Sequence, residues 1–347
     1  MQPTNPAWQR GELQDDAWQL TVEPEQVRDL LSAVAAGAGR PWQDSGLDGG
    51  PASCRPLWQD AGDRLERQTG FCVIRGLPAL QGEEARRLAF LIGHGLGTPV
   101  FQDAMAGRIV HIRSTDAEDR DAALYTPKPD GTHTRPYETR NAFRLHSDPC
   151  DVAALYCVEN AGAGGTSTIV SAPAVYEELR RHYAEDLAAL QQPFDYARPR
   201  RPGEPVSWHG IPVFTHHEGW FKTHVVPDLI YAAQLIPEVP RLDGRRRDAL
   251  LRMDEVASRP EFLLRYRLEP GDVLLLNNHL VWHGREAYTD GEARIRHLLR
   301  LWLAVPGSRP LHPVHAGWFG DPAAGALRGG YLRERLAELV PGPAVVK

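Results

Sequence analysis

Hydrophobic and polar positions along the chain follow two different periods. Apolar residues at helical spacing, or helix-like patterns after a Pro or Gly, predict helices over 24–37, 57–68, 83–93, 174–190 and 245–258. Short apolar runs bounded by turn residues predict strands within 70–78, 96–113, 141–148, 151–158, 164–172, 264–288 and 293–307. Residues 205–226 alternate around turn signals at His209-Gly210 and Glu218-Gly219, which predicts hairpins.

This order of elements predicts a mainly β fold with helical cover, either a β-sandwich or a jelly roll. No shift in composition marks a domain boundary, so we expect a single domain over 1–347. Within it we expect an N-terminal helical part over about 1–95 and a β core over about 96–307. The Pro/Gly-rich tail over 308–347 is expected to wrap the surface.

Charge and hydropathy exclude several classes of protein. The 347 residues carry 39 Lys and Arg against 45 Asp and Glu, a net charge of −6, which argues against a nucleic-acid surface. The longest apolar runs suit buried strands and are too short to cross a bilayer. The N-terminal residues have no apolar stretch, so we expect no signal peptide and a cytoplasmic protein. A small-molecule partner is expected, and homo-oligomerisation stays open.

The first candidate for chemistry is the tripeptide His146-Ser147-Asp148. On a strand, residues i and i+2 point to the same face, so an imidazole and a carboxylate would be aimed at one point, as two adjacent metal ligands require. Such tripeptides also arise by chance, and this pattern alone does not separate a metal site from a structural one.

A second candidate follows a Pro-Gly-Asp turn and an apolar strand within 270–285, where His279 and His283 occur. Their spacing of four is found in zinc hydrolases on a helix, but the segment is strand-like and the intervening residues include no Glu. One of the two histidines could therefore be a distant third ligand, with the other structural.

A third candidate is the pair Arg296 and Arg300, four residues apart on one face of an otherwise apolar strand. An inward-facing cation is costly unless it is paired, which suggests either anionic ligands or structural ion pairs. In combination the signals are stronger. Two His and one carboxylate on one face of a metal are typical of non-haem Fe(II) oxygenases, and an inward Arg can clamp a carboxylate of a co-substrate.

On these motifs the chain resembles the taurine-dioxygenase-like (TauD/TfdA, clavaminate-synthase-like) Fe(II)/2-oxoglutarate-dependent oxygenases. The matching stretches occur in the family's order over roughly 70–305: GFCVIRGLP, LGTPVFQ, FRLHSDPCDVAALYC, GGTSTIVSAPAVYEEL, PGDVLLLNNHLVWHGR and RHLLRLWLA. The resemblance implies a double-stranded β-helix (jelly roll) core, Fe(II) as cofactor, and 2-oxoglutarate and O₂ as co-substrates.

Carried over residue by residue, the resemblance assigns His146, Asp148 and His283 to the metal. His283 is preferred over His279 because it precedes Gly-Arg. It assigns Arg296 to the distal carboxylate of 2-oxoglutarate. It assigns the Ser167 hydroxyl to the same carboxylate, although a threonine lies on each side of Ser167 in the sequence. Arg300 matches a second Arg that contacts either co-substrate or an anionic substrate.

The resemblance implies no catalytic residue beyond the metal site. The family's halogenating members lack the carboxylate ligand, so the presence of Asp148 implies hydroxylation or another C–H oxidation such as desaturation. Two alternatives remain: a cupin-like metal protein that works without 2-oxoglutarate, and a non-catalytic β-protein that binds a small molecule.

The substrate is expected to be a small polar or anionic metabolite, and specialised metabolism is a plausible setting. The expectation rests on Arg300 and on residues of the loop before the iron strand, Arg135, Tyr137, Arg140 and Arg144, with Gln102 on the preceding strand.

Overall fold

A computed structural model describes residues 6–46, 49–103, 105–115, 136–198 and 207–339. Its helices are α1 Asp15–Trp18, α2 Pro24–Ala36, α3 Arg55–Arg67, α4 Gly82–Leu96, α5 Ala172–His182, α6 Ala184–Leu190, α7 Pro227–Ala233, α8 Gly244–Ala257 and α9 Ala316–Phe319.

Strands make up the centre of the molecule. Those of the first half are β1 Gln19–Thr21, β2 Phe71–Arg75, β3 Thr98–Pro99, β4 Val110–Ile112, β5 Phe143–His146, β6 Val152–Glu159, β7 Ala163–Gly164 and β8 Ser167–Ser171. Those of the second half are β9 Pro193–Ala197, β10 Trp208–Pro212, β11 Phe214–His217, β12 Trp220–Thr223, β13 Leu264–Tyr266, β14 Val273–Asn277, β15 Val281–Arg285, β16 Tyr288–Thr289 and β17 His297–Ala304.

Two sheets form the jelly-roll core, which confirms the predicted fold class. The major sheet has the order β1-β2-β14-β6-β17-β3, with β4 also paired to β17, and the minor sheet has the order β13-β8-β15-β5. The pairs that build the core of both sheets are antiparallel.

Strand β6 shows why the central strands read as continuous apolar runs. Ala153, Leu155 and Cys157 pack into the cluster between the sheets. Ala154 and Tyr156, which alternate with them, pack into a second cluster together with side chains of α2, α3 and α4. Both faces of the strand are therefore buried, one against the other sheet and one under the helical cover.

Two local predictions are wrong. The helix expected over 174–190 is interrupted at Tyr183, whose backbone (φ −141°, ψ 49°) separates α5 from α6. Gly210 lies inside β10, opposite Asp195, rather than in a turn. The turn at Glu218-Gly219 is confirmed: it joins β11 to β12 with both residues at positive φ (52° and 82°), the backbone of a type I′ hairpin.

The tail beyond residue 308 is not the surface wrapping that its composition suggested. Arg309 and Arg328 are both 0% exposed. The Nε of Arg309 lies 2.7 Å from Oε1 of Glu66 in α3, and the Nε of Arg328 lies 2.8 Å from Oδ1 of Asp151. Because a buried cation requires a partner of opposite charge, these two ion pairs draw the tail into the interior.

Candidate metal centre and cavity

Three side chains from the minor sheet and the adjoining loop meet at one point. His146 ends β5, His283 lies in β15, and the two residues face each other in the antiparallel register. Asp148 lies just beyond the end of β5, in a loop, and not on the strand as the sequence pattern assumed. Its Oδ1 is 3.9 Å from Nε2 of His146, and its Oδ2 is 3.7 Å from Nε2 of His283. The structure thus brings together all three residues assigned to the metal.

The protonation of these groups suits a cation. All three side chains are buried. Burial raises the pKa of Asp148, but Arg300 and the two imidazoles outweigh it, so the pKa lies below its ordinary value. Burial and the neighbouring His146 lower the pKa of His283 to about 3. The carboxylate is therefore charged and the His283 imidazole neutral, which are the forms that bind metals.

The donor set fits Fe(II). One donor atom from each residue lies within 4.8 Å of the others. Among the described residues, Oδ2 of Asp148 is buried without a hydrogen-bond partner. A buried carboxylate oxygen of this kind needs a ligand or a donor. Two His and one carboxylate on one side of the metal leave coordination positions open, as in non-haem iron oxygenases.

Hydrogen bonds orient two of the three candidate ligands, His146 and Asp148. The Nδ1 of His146 lies 2.9 Å from the carbonyl oxygen of Arg144 and donates to it when Nε2 faces a metal. The backbone N–H of Asp148 donates to Oδ1 of Asn278, at 2.8 Å. Asn278 belongs to the Asn277-Asn278 pair at the end of the β14 apolar run, and this pair is the feature of the sequence from which its role could be inferred.

His279, the alternative third ligand, has a different environment. Its ring is 0% exposed, and its Nε2 lies 2.8 Å from Oδ1 of Asp151, which also accepts from Arg328. The residue is thus part of a buried polar network that anchors the tail. This placement supports the choice of His283 over His279.

Arg296 and Ser167 line one small cavity of about 50 Å³ together with His146 and His283. Arg296 is 3% exposed, and among the described residues its Nε and Nη1 are buried without a hydrogen-bond partner. Burial lowers the pKa of this guanidinium. Unpaired buried donors beside the metal site are what a carboxylate of 2-oxoglutarate would satisfy.

Gly165 explains part of the Gly-Gly-Thr-Ser-Thr motif. It has φ +71°, and a Cβ at this position would lie 3.2 Å from Nε and 3.3 Å from Cδ of Arg296. A side chain here would strain the backbone and press on the guanidinium. The glycine therefore makes room for Arg296, a role that the sequence alone did not indicate.

Arg300 lies in the same cavity wall but already has protein partners. Its Nε donates to Oε1 of Gln102 at 2.9 Å, and its Nη1 lies 3.5 Å from Oδ1 of Asp148. The guanidinium lies 4.5 Å from the ring centre of Trp302 and 5.2 Å from that of Tyr137. Besides substrate and co-substrate, Arg300 thus has a third candidate partner, the carboxylate of Asp148, which fits the structural ion pair that the sequence left open.

The structure corrects part of the expected substrate set. Arg144 is exposed and lines a different cavity, beside α8. It follows Phe143 on strand β5, so the two side chains point to different faces of the strand. Gln102 lines the cavity that also contains Arg300 and Asp148. Its amide Nε2 donates to the carbonyl oxygens of Arg300 and Arg108, so Gln102 positions Arg300. Tyr137 lines the cavity as expected.

The other two arginines expected from that loop are Arg140 and Arg135. Arg140 pairs with Asp290, with 3.1 Å between Nε and Oδ2. Arg135 lies outside the described residues.

A larger cavity of about 180 Å³ extends from the metal ligands. His146, Asp148 and Arg300 form part of its wall, and Phe143, Trp302 and Trp318 supply aromatic surface. Its mixture of apolar walls and a few charged groups is typical of a site for a small molecule.

Sequence comparison identifies the family. The profile of the taurine catabolism dioxygenase TauD, TfdA family matches residues 36–302, more than half of the chain. The chain belongs to the TauD/TfdA family. This TauD/TfdA protein is accordingly an Fe(II)/2-oxoglutarate-dependent oxygenase that uses O₂ and acts on a small substrate. Membership decides against the two alternatives, a 2-oxoglutarate-independent metal protein and a non-catalytic binding protein.

Individual relatives agree with this assignment. The TauD/TfdA protein is 31% identical over 261 residues to FR-33289 synthase of Streptomyces rubellomurinus (strain ATCC 31215), covering 71% of this chain and 72% of the relative. It is 31% identical over 152 residues to the uridine-5'-phosphate dioxygenase of an Amycolatopsis species, covering 43% and 54%.

Solved structures share the fold. Non-heme iron oxygenase OrfP, in complex with Fe, succinate and (3S)-hydroxy-L-Arg, matches with a TM-score of 0.60 at 16% identity, covering 82% of this chain and 93% of that chain. Asparagine oxygenase matches with a TM-score of 0.57 at 15% identity and the same coverage. No described helix of the TauD/TfdA protein has the length and apolar character needed to cross a membrane.

Proposed function

We propose that this oxygenase hydroxylates an unactivated C–H bond of a small anionic metabolite. In this proposal His146, Asp148 and His283 hold the iron, and Arg296 with Ser167 holds the distal carboxylate of 2-oxoglutarate. The bound iron and co-substrate supply the oxidation, in which 2-oxoglutarate becomes succinate and CO₂. The protein's residues orient the two substrates and keep water out.

One observation carries the proposal: His146 and His283, which meet Asp148 at one point, share a cavity with the buried Arg296, two of whose guanidinium nitrogens have no hydrogen-bond partner among the described residues. A metal ion alone would explain the cluster of His146, Asp148 and His283. A structural ion pair would explain a buried arginine. Together they match the needs of a chelating co-substrate whose far end is a carboxylate. The carboxylate ligand Asp148 favours hydroxylation over halogenation, as the family resemblance implies.

An anionic substrate is favoured by the charge around the cavity and by the relatives. Arg300 contributes a guanidinium to the wall of the larger cavity, beside the metal carboxylate. One relative is named for uridine-5'-phosphate, a phosphate ester, and the family is named for taurine. We therefore place an anionic metabolite in the 180 Å³ cavity.

Anaerobic titration of the protein with Fe(II), with and without 2-oxoglutarate, tests the metal and co-substrate sites. We expect one iron per chain and a weak visible charge-transfer band that requires both additions. Replacement of Asp148 by Ala should remove the band. A band of full strength in Arg296→Ala at the same 2-oxoglutarate concentration would contradict the co-substrate assignment.

Arg300 needs a separate test because it has three candidate partners. If it binds substrate, Arg300→Met should leave 2-oxoglutarate turnover without substrate nearly intact while product formation collapses. If it serves the co-substrate, both rates should fall together. If its role is to hold Asp148, the variant should bind iron more weakly before any 2-oxoglutarate is added, which a metal titration measures directly.

A further inference from the structure

The wall of the larger cavity contains three arginines: Arg300 and, in addition, Arg198 and Arg333. Arg198 directly follows β9, and Arg333 belongs to the tail. Both guanidinium groups donate to backbone carbonyls of consecutive residues, Gly317 and Trp318, in α9. The carbon of the Arg198 guanidinium lies 5.5 Å from the ring centre of Trp318. The two cations are therefore held side by side against one helix.

The two charges are not neutralised by the described part of the chain. Burial, then the charge of Arg198, lowers the pKa of Arg333 to about 10, and burial lowers that of Arg198. Neither forms an ion pair with a carboxylate of a described residue; Glu334 adjoins Arg333 in sequence and only partly offsets the shift. Asp228 lines the same cavity, but in the described part of the chain it forms no ion pair with Arg198 or Arg333.

Such an arrangement is costly by itself. Like charges in a partly buried wall repel each other, and each guanidinium keeps N–H donors beyond the one used on α9. A planar guanidinium fork matches the oxygens of a phosphate, and two adjacent forks match a group with two negative charges. A substrate oxoanion would relieve the repulsion and use the remaining donors.

We propose that Arg198 and Arg333 form a subsite for a dianionic oxoanion of the substrate, in the class of phosphate monoesters. The subsite lies in the wall of the same cavity as His146 and Asp148, so a substrate anchored there can present a C–H bond to the iron. This inference rests on the proposed function and adds the charge of the substrate and the residues that bind it. Arg300, already bonded to Gln102 and close to Asp148, then serves the metal end of the cavity.

The test is an anaerobic calorimetric titration of the protein loaded with Fe(II) and 2-oxoglutarate, at constant ionic strength. The probes are phenyl phosphate, a dianion at pH 7.5, and phenyl sulfate, a monoanion of similar shape. We expect phenyl phosphate to bind more tightly than phenyl sulfate. Arg198→Met and Arg333→Met should each raise the Kd for phenyl phosphate about 10- to 150-fold, the loss of a charge-assisted hydrogen bond.

The matched control is Arg335→Met. Arg335 lies two residues from Arg333 in the tail but pairs with Glu338, so its loss should leave the Kd unchanged. Arg198→Lys keeps the charge without the fork and should give an intermediate Kd, which also covers the case in which Arg198→Met does not fold.

Three outcomes would overturn the inference. Wild-type protein could show no preference for phenyl phosphate. Arg198→Met and Arg333→Met could lower the Tm while leaving the Kd unchanged, in which case the two arginines only fasten α9. Finally, Arg300→Met alone could abolish phenyl phosphate binding. Failure of the proposed function would look different, since the band of the iron and 2-oxoglutarate complex would then be missing before any probe is added.

Discussion

Replacement of Arg296 by Met should make the protein more stable and less able to bind its co-substrate. The side chain is 3% exposed, and two of its nitrogen atoms are buried without partners among the described residues. Each such unsatisfied donor costs about 1–3 kcal/mol. A Met side chain has a similar length and no polar hydrogen, so it removes this cost.

Arg296→Met also loses one favourable contact, which reduces the expected gain in stability. The carbon of the Arg296 guanidinium lies 5.4 Å from the ring centre of Tyr288, a cation–π contact that contributes about 0.5–2 kcal/mol. The two donors together cost about 2–6 kcal/mol, so the net stabilisation is on the order of 3 kcal/mol. Since the Tm shift per kcal/mol falls with chain length and is about 1–2 °C for a chain of this size, we expect a rise of a few degrees.

Two measurements on the same samples test this reasoning. Thermal unfolding without 2-oxoglutarate gives the stability, and anaerobic titration with 2-oxoglutarate gives the affinity, which should fall about 10- to 150-fold. Arg265→Met is the matched control, because Arg265 is exposed and pairs with Glu286 at the surface, so neither quantity should change measurably. An Arg296→Met protein that melts below wild type and binds 2-oxoglutarate normally would refute the reasoning.

Three further predictions follow from the site and its surroundings. His283→Ala should abolish iron binding and succinate formation, whereas His279→Ala should retain iron binding and lower the Tm; the reverse pattern in metal analysis would reassign the third ligand. Gly165→Ala should raise the KM for 2-oxoglutarate with a smaller effect on iron affinity, because its Cβ would press on the guanidinium of Arg296 at 3.2 Å. Arg328 and His279 outweigh the effect of burial and lower the pKa of Asp151 from an ordinary 3.8 to about 2. The resulting stabilisation, about 2–3 kcal/mol, is present above pH 4 and lost as the pH falls towards 2, and a pH series of unfolding curves should show a steeper loss of stability in wild type than in Asp151→Asn.

The sequence was most informative where a pattern is local and repeats. The continuous apolar run of β6 and the helical spacing of α2 follow from burial of two faces and of one face, and these elements were predicted with nearly correct limits. Arg296, Leu298 and Arg300 line one cavity, as predicted, although Arg296 lies just before β17 and not on the strand, and the register shifts between His297 and Leu298. Such features depend on residues only a few positions apart, so they can be predicted from the sequence.

Contacts between distant parts of the chain left no comparable signal. The ion pair between Arg328 and Asp151 joins residues 177 positions apart, and nothing in the Pro/Gly-rich tail indicated that it would be buried. Arg198 and Arg333 could not be recognised as neighbours for the same reason. The break at Tyr183 was missed because the apolar spacing continues through it, although the backbone does not.

The burial of Arg328 against Asp151 has a consequence for how the chain folds as it is synthesised. At about 5–20 residues per second, a ribosome needs roughly 9–35 s to add the 177 residues between them. During that time the carboxylate of Asp151, three positions after the proposed ligand Asp148, lacks the guanidinium of Arg328. The backbone bond from Gly330 to the carbonyl of Pro149 forms equally late. The loop that carries Asp148 is therefore completed by a segment made well after it, and iron added to a nascent chain before that point would meet an unfinished site.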